Sequence, residues 1–504
     1  MNRKAVTTVS MRQDSLGPIL AQNTRPVGQK SRLPLVILLF LPCLFLYPAL
    51  DNDLWFLLAS GRYVLANGIP TIEPFTLHHN MAFVMQQWLS SVVFWLVYSN
   101  LGTYGIFALT CIVYAAIVLV TYRLTMYISH QNFLAAFLAT LPVSVLLTQF
   151  LFTRPIMFTL LILLSELYLI ERYIATQKLG WLLPLPILSA LLVNLHAAMW
   201  PMQFVLLLPY LVDSFHFQLG PIHRQGYPKR HLFPAILLML VAGFVNPYGF
   251  RAMTYLFRSY GYAEFTQISE MKPANINLLL GMNIFGSLFA VGAVYLFQRQ
   301  RITRLRYALL TFGTAILALS SVRNFVLFII CGIFPLAYFL RDIRLPEDRV
   351  QSAKSALRLR IVLMLGFAVC FLYLAQAQFL SLKKAALPPP VASPVNYLLL
   401  HHEPKDVVLY TGYNDGAYAE YMGFSPYIDA RAEVFVPKNN GTENFTREYL
   451  ELQMGGIYYK DVLDKYQFTH LLVEKDDLLN TYLPQDADYQ RVYQDETYSI
   501  FQRK

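Results

Sequence analysis

Two aspartates, Asp51 and Asp53, stand one residue apart where a long apolar run stops at Leu50. A half-buried carboxylate in such a place can take a proton from a hydroxyl or amine as that group attacks a sugar carbon. A second carboxylate beside it can hold a divalent cation or drive the two proton affinities apart. Further along the chain, Arg154 precedes one apolar run, His196 ends another and Arg323 lies at the end of a third, while Glu264 and Glu270 sit in a loop between. Guanidinium forks grip phosphate oxygens in pairs, so Arg154 and Arg323, with His196, suit a phosphate or pyrophosphate leaving group. Ionisable groups at membrane depth are costly and default to functional candidates. Each also has a plainer reading: Arg154 as an interface anchor, His196 as a packing residue, the glutamates as solvated loop acids. Asn246, in Asn-Pro-Tyr-Gly, reads as a turn. Tyr413, Asp415 and Gly416, like Asp429 and Arg431, read as a turn and an ion pair and not as a second active site.

The elements that must carry these residues follow from composition. Of 504 residues 56% are hydrophobic and 14% charged, against about 25% charged in soluble domains. Apolar runs near bilayer length recur at 33–50, 104–122, 133–149, 155–171, 181–196, 200–215, 232–247, 276–296, 307–320, 324–340 and 361–380. Together these predict about eleven transmembrane helices, preceded by a basic tail, 1–32. The first run reads as a retained signal anchor, since no small-residue cleavage site follows it. The net charge of +10 does not point to nucleic acid, because most Lys and Arg fall in short loops between apolar runs, where they orient a membrane chain. Cys43, Cys111, Cys331 and Cys370 all lie inside apolar runs, with neither a disulfide framework nor a metal-type spacing.

The amphipathic stretch 86–99 decides the topology. With 86–99 lying in the membrane plane, the inside loops hold twenty-two Lys and Arg and the outside loops before the tail hold six. Making it a span would invert every later loop and destroy the bias. The N-terminus is then cytoplasmic, 51–103 is the first outer loop with its juxtamembrane helices, and the C-terminal part lies outside. Asp51, Asp53, Arg154, His196, Glu270 and Arg323 converge on that same outer side.

The tail begins with a proline-rich linker, 381–394, that favours an extended spacer. From 395 to 504 it reads as a small α/β domain: a helix in Asn-Tyr-Leu-Leu-Leu-His-His, a strand in Asp406-Val-Val-Leu-Tyr, further strand candidates over 425–435 and 468–475, and a terminal hairpin turning at Glu496. Two sequons, at Asn440 and Asn444, carry little weight because such tripeptides arise often by chance.

The stretch 51–105 resembles the GT-C superfamily of membrane glycosyltransferases, which includes protein O-mannosyltransferases and lipid A aminoarabinose transferases. It reads Asp53-Leu-Trp, Ala59-Ser-Gly-Arg62-Tyr63, Leu65-Ala-Asn-Gly68-Ile-Pro70, Pro74-Phe75, Gln87-Trp88-Leu89 and Leu101-Gly102. The chain also looks like a group of bacterial membrane proteins of that superfamily, through FTRP (152–155), NLH (194–196), NPYG (246–249), ISEMKP (268–273) and YIDAR (427–431). It departs from the group at Glu73, where an Asp is common, and at Ala197 and Ala198, where a glycine pair often follows the histidine.

The resemblance implies an inverting glycosyltransferase of the bacterial cytoplasmic membrane. A polyprenyl-phosphate sugar would be the donor, and a cell-envelope glycan, lipid or protein the acceptor. Asp53 then occupies the position of the catalytic acid, with Asp51 as its partner. Arg154, His196, Glu270 and Arg323, together with Arg62 and Gln87, form the candidate substrate-binding set. Asp51 and Asp53 would be the ligands if the reaction uses a divalent cation, Mg or Mn. Two other readings stay open: a lipid-linked glycan transporter or flippase, which would want its charges near mid-membrane, and a non-catalytic envelope scaffold acting through its tail.

Overall fold

The computed structural model describes residues 50–343 and 388–504 with Leu35, Ile37 and Leu38, apart from 151, 216, 220, 221, 225, 229, 260, 263, 266–268 and 298–303. The expected basic tail, the span at 361–380, nearly all of the span at 33–50 and the first half of the linker lie outside the described residues.

The chain is mostly helical. Helix α1 (Asp53–Asn67) starts where Asp51 Oδ1 accepts the Asp53 amide at 2.9 Å. Helix α2 (Trp88–Ile128) is kinked at Gly102, whose φ of 60° and ψ of −155° only glycine adopts at low cost. The kink separates the expected in-plane stretch from the expected span, so that 88–101 and 103–128 are distinct arms. Helix α1 lies so close to the first arm that a Cβ on Gly61 would meet Ser91 O at 2.1 Å.

The remaining apolar runs form α3 (Phe133–Leu147), α4 (Ile156–Thr176), α5 (Pro184–Leu195), α6 (Trp200–Ser214), α7 (Leu232–Ala242), α8 (Leu279–Phe297), α9 (Leu305–Ser320) and α10 (Val322–Phe339). Of the described helices, α2, α8 and α10 are long and apolar enough to cross a membrane. Large apolar side chains such as Leu183, Ile187, Phe289 and Leu296 point outward, a surface that suits lipid better than water.

With apolar surface on both sides, hydroxyls and small polar groups tie the helices together. Thr125 and Thr140 share a hydrogen bond of 2.9 Å between α2 and α3, and Ser189 donates to Met239 O between α5 and α7 at 2.8 Å. Arg306, at the start of α9, is buried and grips Glu171 of α4 through two nitrogens, at 2.7 and 3.0 Å. It also donates to Asp213 of α6 at 2.8 Å. This ionic staple lies roughly 25 Å along α4 from Arg154, at 1.5 Å per residue.

A short hairpin, β1 (Phe217–Leu219) with β2 (Ile222–Arg224), joins α6 to α7. The C-terminal part contains α11 (Ala392–His401), α12 (Gly416–Tyr421), α13 (Phe445–Gln453) and α14 (Tyr459–Tyr466) around a four-stranded sheet. The sheet is β3 (Leu409–Tyr410), β4 (His470–Glu474), β5 (Tyr489–Gln494) and β6 (Tyr498–Arg503), in the order β3-β4-β6-β5, and only the β3–β4 pair is parallel. The β5–β6 turn is fixed by Asp495, whose carboxylate accepts the amides of Thr497 and Tyr498 at 2.8 and 2.7 Å. The candidate strand over 425–435 forms only a single bridge, Pro426 to Leu409.

Packing joins this part to the helices. One core runs from Leu54, Phe94 and Tyr114 through to Leu398, Leu409, Leu472 and Ile500. A second combines Phe75, Met81, Phe83 and Met85, between α1 and α2, with Tyr410, Tyr427, Phe435 and Phe468.

Candidate active site

At the N-terminal end of α4, Arg154 gathers three carboxylates. Pro155 follows it and presets the first helical φ, and the Arg154 carbonyl accepts the Met157 amide at 3.2 Å. Its guanidinium meets Asp51 through Nε at 3.0 Å and Nη2 at 3.1 Å. Nε also lies 3.1 Å from Asp53 Oδ2, and Nη1 lies 3.4 Å from Glu270 Oε1. The Asp53 side chain stays 24% exposed, against 10% for Asp51. Asp51 is therefore the fixed member of the pair and Asp53 the reachable one.

Glu270 arrives on a 3₁₀ turn (Ser269–Met271) laid against the α9–α10 junction. Ser321 Oγ donates to Glu270 O at 3.0 Å, and the Val322 amide donates to Lys272 O at 3.0 Å. The same junction carries Arg323, which is exposed and makes no ion pair among the described residues. Its charge acts on Asp53, His196 and Glu433. Desolvation pushes the Asp53 carboxyl up to about 7; Arg154 opposes that rise, while Asp51 and Glu270 add to it.

His196 ends α5 and is buried, with Nδ1 2.9 Å from Thr159 Oγ1 of α4. The following residues close a polar corner: the Ala197 amide donates to Gln86 O at 2.8 Å, and the Ala198 amide to Gln86 Oε1 at 3.2 Å. Gln86 Nε2 in turn donates to Glu433 Oε1 at 2.9 Å. Gln87 lines a small cavity here with Phe56, Ser60, Tyr255, Arg431 and Glu433. Burial raises the affinity of Glu433 for its proton.

Arg62 stands apart. It donates to Tyr421 O at 2.7 Å and lies over the rings of Trp95 and Tyr421. It borders a different groove, about 380 Å³ in volume, with Tyr63, Asn67, Phe75, Glu420 and Ser425.

Arg431 and Asp429 are an ion pair, and two further acids join them. Arg431 Nη2 donates to Glu73 at 3.1 Å and to Glu420 at 2.9 Å, and Nε donates to Asp429 at 2.9 Å. Glu73 also accepts the amides of Phe75 and Thr76, at 3.1 and 2.9 Å. The guanidinium is enclosed by Phe56, Phe75 and Phe83. The sequence marks Glu73 only as a departure and gives no sign of Glu420, or of Gln86 and Glu433, which meet across 347 residues.

The other candidates have structural duties. Asn246 Oδ1 accepts the Tyr248 amide at 2.8 Å in a turn, and Glu264 accepts from Asn444 at 3.0 Å. Asn444 caps α13 through the Arg447 amide at 3.0 Å, and Asn440 is buried with its amide on Glu443 O at 3.0 Å. The sequon amides are thus spent on folding.

A divalent cation fits this carboxylate set poorly. Among the described residues no three His, Cys, Asp or Glu are grouped to hold a metal. A metal bound to Asp51 Oδ2 sits about 2.1 Å away, and Arg154 Nε is 3.0 Å from that oxygen. The ion would therefore lie within about 5 Å of the guanidinium, a repulsion of roughly 6 kcal/mol at an effective dielectric of 20.

No protein-family model matches the chain, and no curated protein matches it in sequence. Solved structures do match. The oligosaccharyltransferase of Archaeoglobus fulgidus, tethered to an acceptor peptide containing the NVT sequon, overlays with a TM-score of 0.53 at 13% identity, over 94% of this chain and 74% of its own. Its apo form gives 0.51 at 10% identity, over 88% and 70%. ArnT from Cupriavidus metallidurans bound to undecaprenyl phosphate gives 0.46 at 12% identity, over 93% and 96%, too low for a shared fold to be argued. In fold the chain is similar to that oligosaccharyltransferase.

Proposed function

We propose that the chain is a membrane glycosyltransferase that moves a sugar from a polyprenyl-phosphate donor to a cell-envelope acceptor at the outer face of the cytoplasmic membrane. The observation that carries this reading is the Asp51–Arg154–Asp53 arrangement in a GT-C-like fold: one carboxylate locked, the next partly exposed and placed for proton transfer. Asp53 accepts the acceptor's O–H or N–H proton as the nucleophile forms its bond to the anomeric carbon. The bond from that carbon to the phosphate oxygen breaks on the opposite side, the phosphate leaves with the electron pair, and the configuration inverts.

Arg323 is the cation free to hold the leaving phosphate, since the edges of the Arg154 fork are already turned toward carboxylates. Buried against Thr159, His196 sets the neighbouring loop in place, with Gln86 and Gln87 at the same corner. Glu270 steadies Arg154 and faces the acceptor. The groove beside Arg62 takes a further part of the acceptor. In this reading the chain has about eleven spans, a cytoplasmic N-terminus and an extracytoplasmic part beyond the linker at 381–394, with residues 395–504 covering the site.

Mass spectrometry of lipid extracts tests it. Cells lacking the gene should accumulate a polyprenyl-phosphate sugar, and Asp53→Asn should fail to clear it. A variant that restores the normal lipid profile would remove Asp53 from the chemistry and bring the transporter and scaffold readings forward.

A further inference from the structure

We infer that Arg154 is a built-in cation: it fills the place between Asp51, Asp53 and Glu270 that a divalent metal would take, and the site is complete without one. The carboxylates come from the start of α1 and from the loop before α8, and they meet on this one guanidinium. Asp51 Oδ1 accepts from both Arg154 Nη2, at 3.1 Å, and the Asp53 amide, at 2.9 Å, which occupies both of its lone pairs. Nε stands between Asp51 Oδ2 and Asp53 Oδ2, 3.0 and 3.1 Å away, so the two oxygens an ion would bridge are already bridged.

A guanidinium keeps its charge at any physiological pH and presents it in a planar fork. It can therefore stabilise the Asp51–Asp53 pair permanently, where a metal would have to be recruited. Glu270 then serves as a third anchor for the fork, holding it in register as Asp53 exchanges its proton. The inference deepens the transferase reading of this site but is read out by ion binding alone. It can fail while transfer stands, and transfer can fail while it holds.

The test is a Mn²⁺ titration of the full chain in nanodiscs, followed by the electron paramagnetic resonance signal of free Mn²⁺. The expected result is the signal of buffer, or a loss of amplitude that is the same in wild type and in Asp51→Asn. One Mn²⁺ per chain, bound tighter than ~0.1 mM, the weak end of protein cation sites, and removed by Asp51→Asn, would overturn the inference. Should Asp51→Asn fail to fold, Asp53→Asn serves as the reference, because it leaves the two-nitrogen contact of Asp51 with Arg154 intact.

Discussion

Replacing Asp53 by asparagine keeps the size of the side chain and removes its capacity to take a proton. The Asp51–Arg154 contact persists without it, and Asp53 is partly exposed, so the variant should fold and accumulate normally. Loss of a positioned general base costs about 10²–10⁴ in rate, or roughly 3–5 kcal/mol at 1.36 kcal/mol per decade. Wild type adds a second handle. Burial holds the Asp53 carboxyl at about 7, and only the ionised form can accept a proton. Transfer should therefore rise about tenfold from pH 6 to pH 8, as the ionised fraction goes from about 9% to about 91%, and then level off. Arg154→Gln removes the neighbour that opposes this rise, and should move the midpoint upward by about 1–3 units. The assay is transfer from a synthetic polyprenyl-phosphate sugar in detergent, with initial rates across that range. A flat profile in wild type, or an Asp53→Asn rate above a tenth of wild type, refutes the reasoning.

Arg323→Ala should weaken donor use about 10–100-fold, seen mainly in KM, because a hydrogen bond to a charged group contributes about 1.5–3 kcal/mol. Arg323→Lys should recover part of the loss, and equal KM values in all three proteins would discard the phosphate role. Arg431→Met should cost about 3–5 kcal/mol in thermal or denaturant unfolding, since Asp429, Glu420 and Glu73 would be left buried without their cation. A change under about 1 kcal/mol would mean that the cluster is solvated in solution.

The helices were legible because lipid-facing and core-facing surfaces are both apolar, so hydropathy alone marks runs such as 133–149 and 200–215. Charge set the stretch 86–99 apart from the run that follows it, and the chain does bend between them, at Gly102. Asp51, Asp53, Arg154 and Glu270 could be grouped by side, but not paired. Nothing in the spacing says that Arg154 turns to acids, with a partner 103 residues away, in preference to a phosphate. Arg306 is one of the twenty-two Lys and Arg assigned to inside loops, yet it is buried between Glu171 and Asp213, because the apolar run 155–171 hides the glutamate that receives it. Gln86 and Glu433 escaped for a different reason. Their contact spans 347 residues, and single-sequence patterns speak only of neighbours.

The Glu73–Arg431 contact joins residues 358 positions apart. A ribosome adding 5–20 residues per second takes roughly 20–70 s to pass from one to the other. Through that interval Glu73, fully enclosed in the finished protein, has no guanidinium and must stay in water. The loop that carries Glu73 therefore cannot close when it is first made; it closes only once Arg431 has been added. Translation order becomes a safeguard: a chain cut short before that residue carries Asp51 and Asp53 next to a loop, 68–87, that never sets.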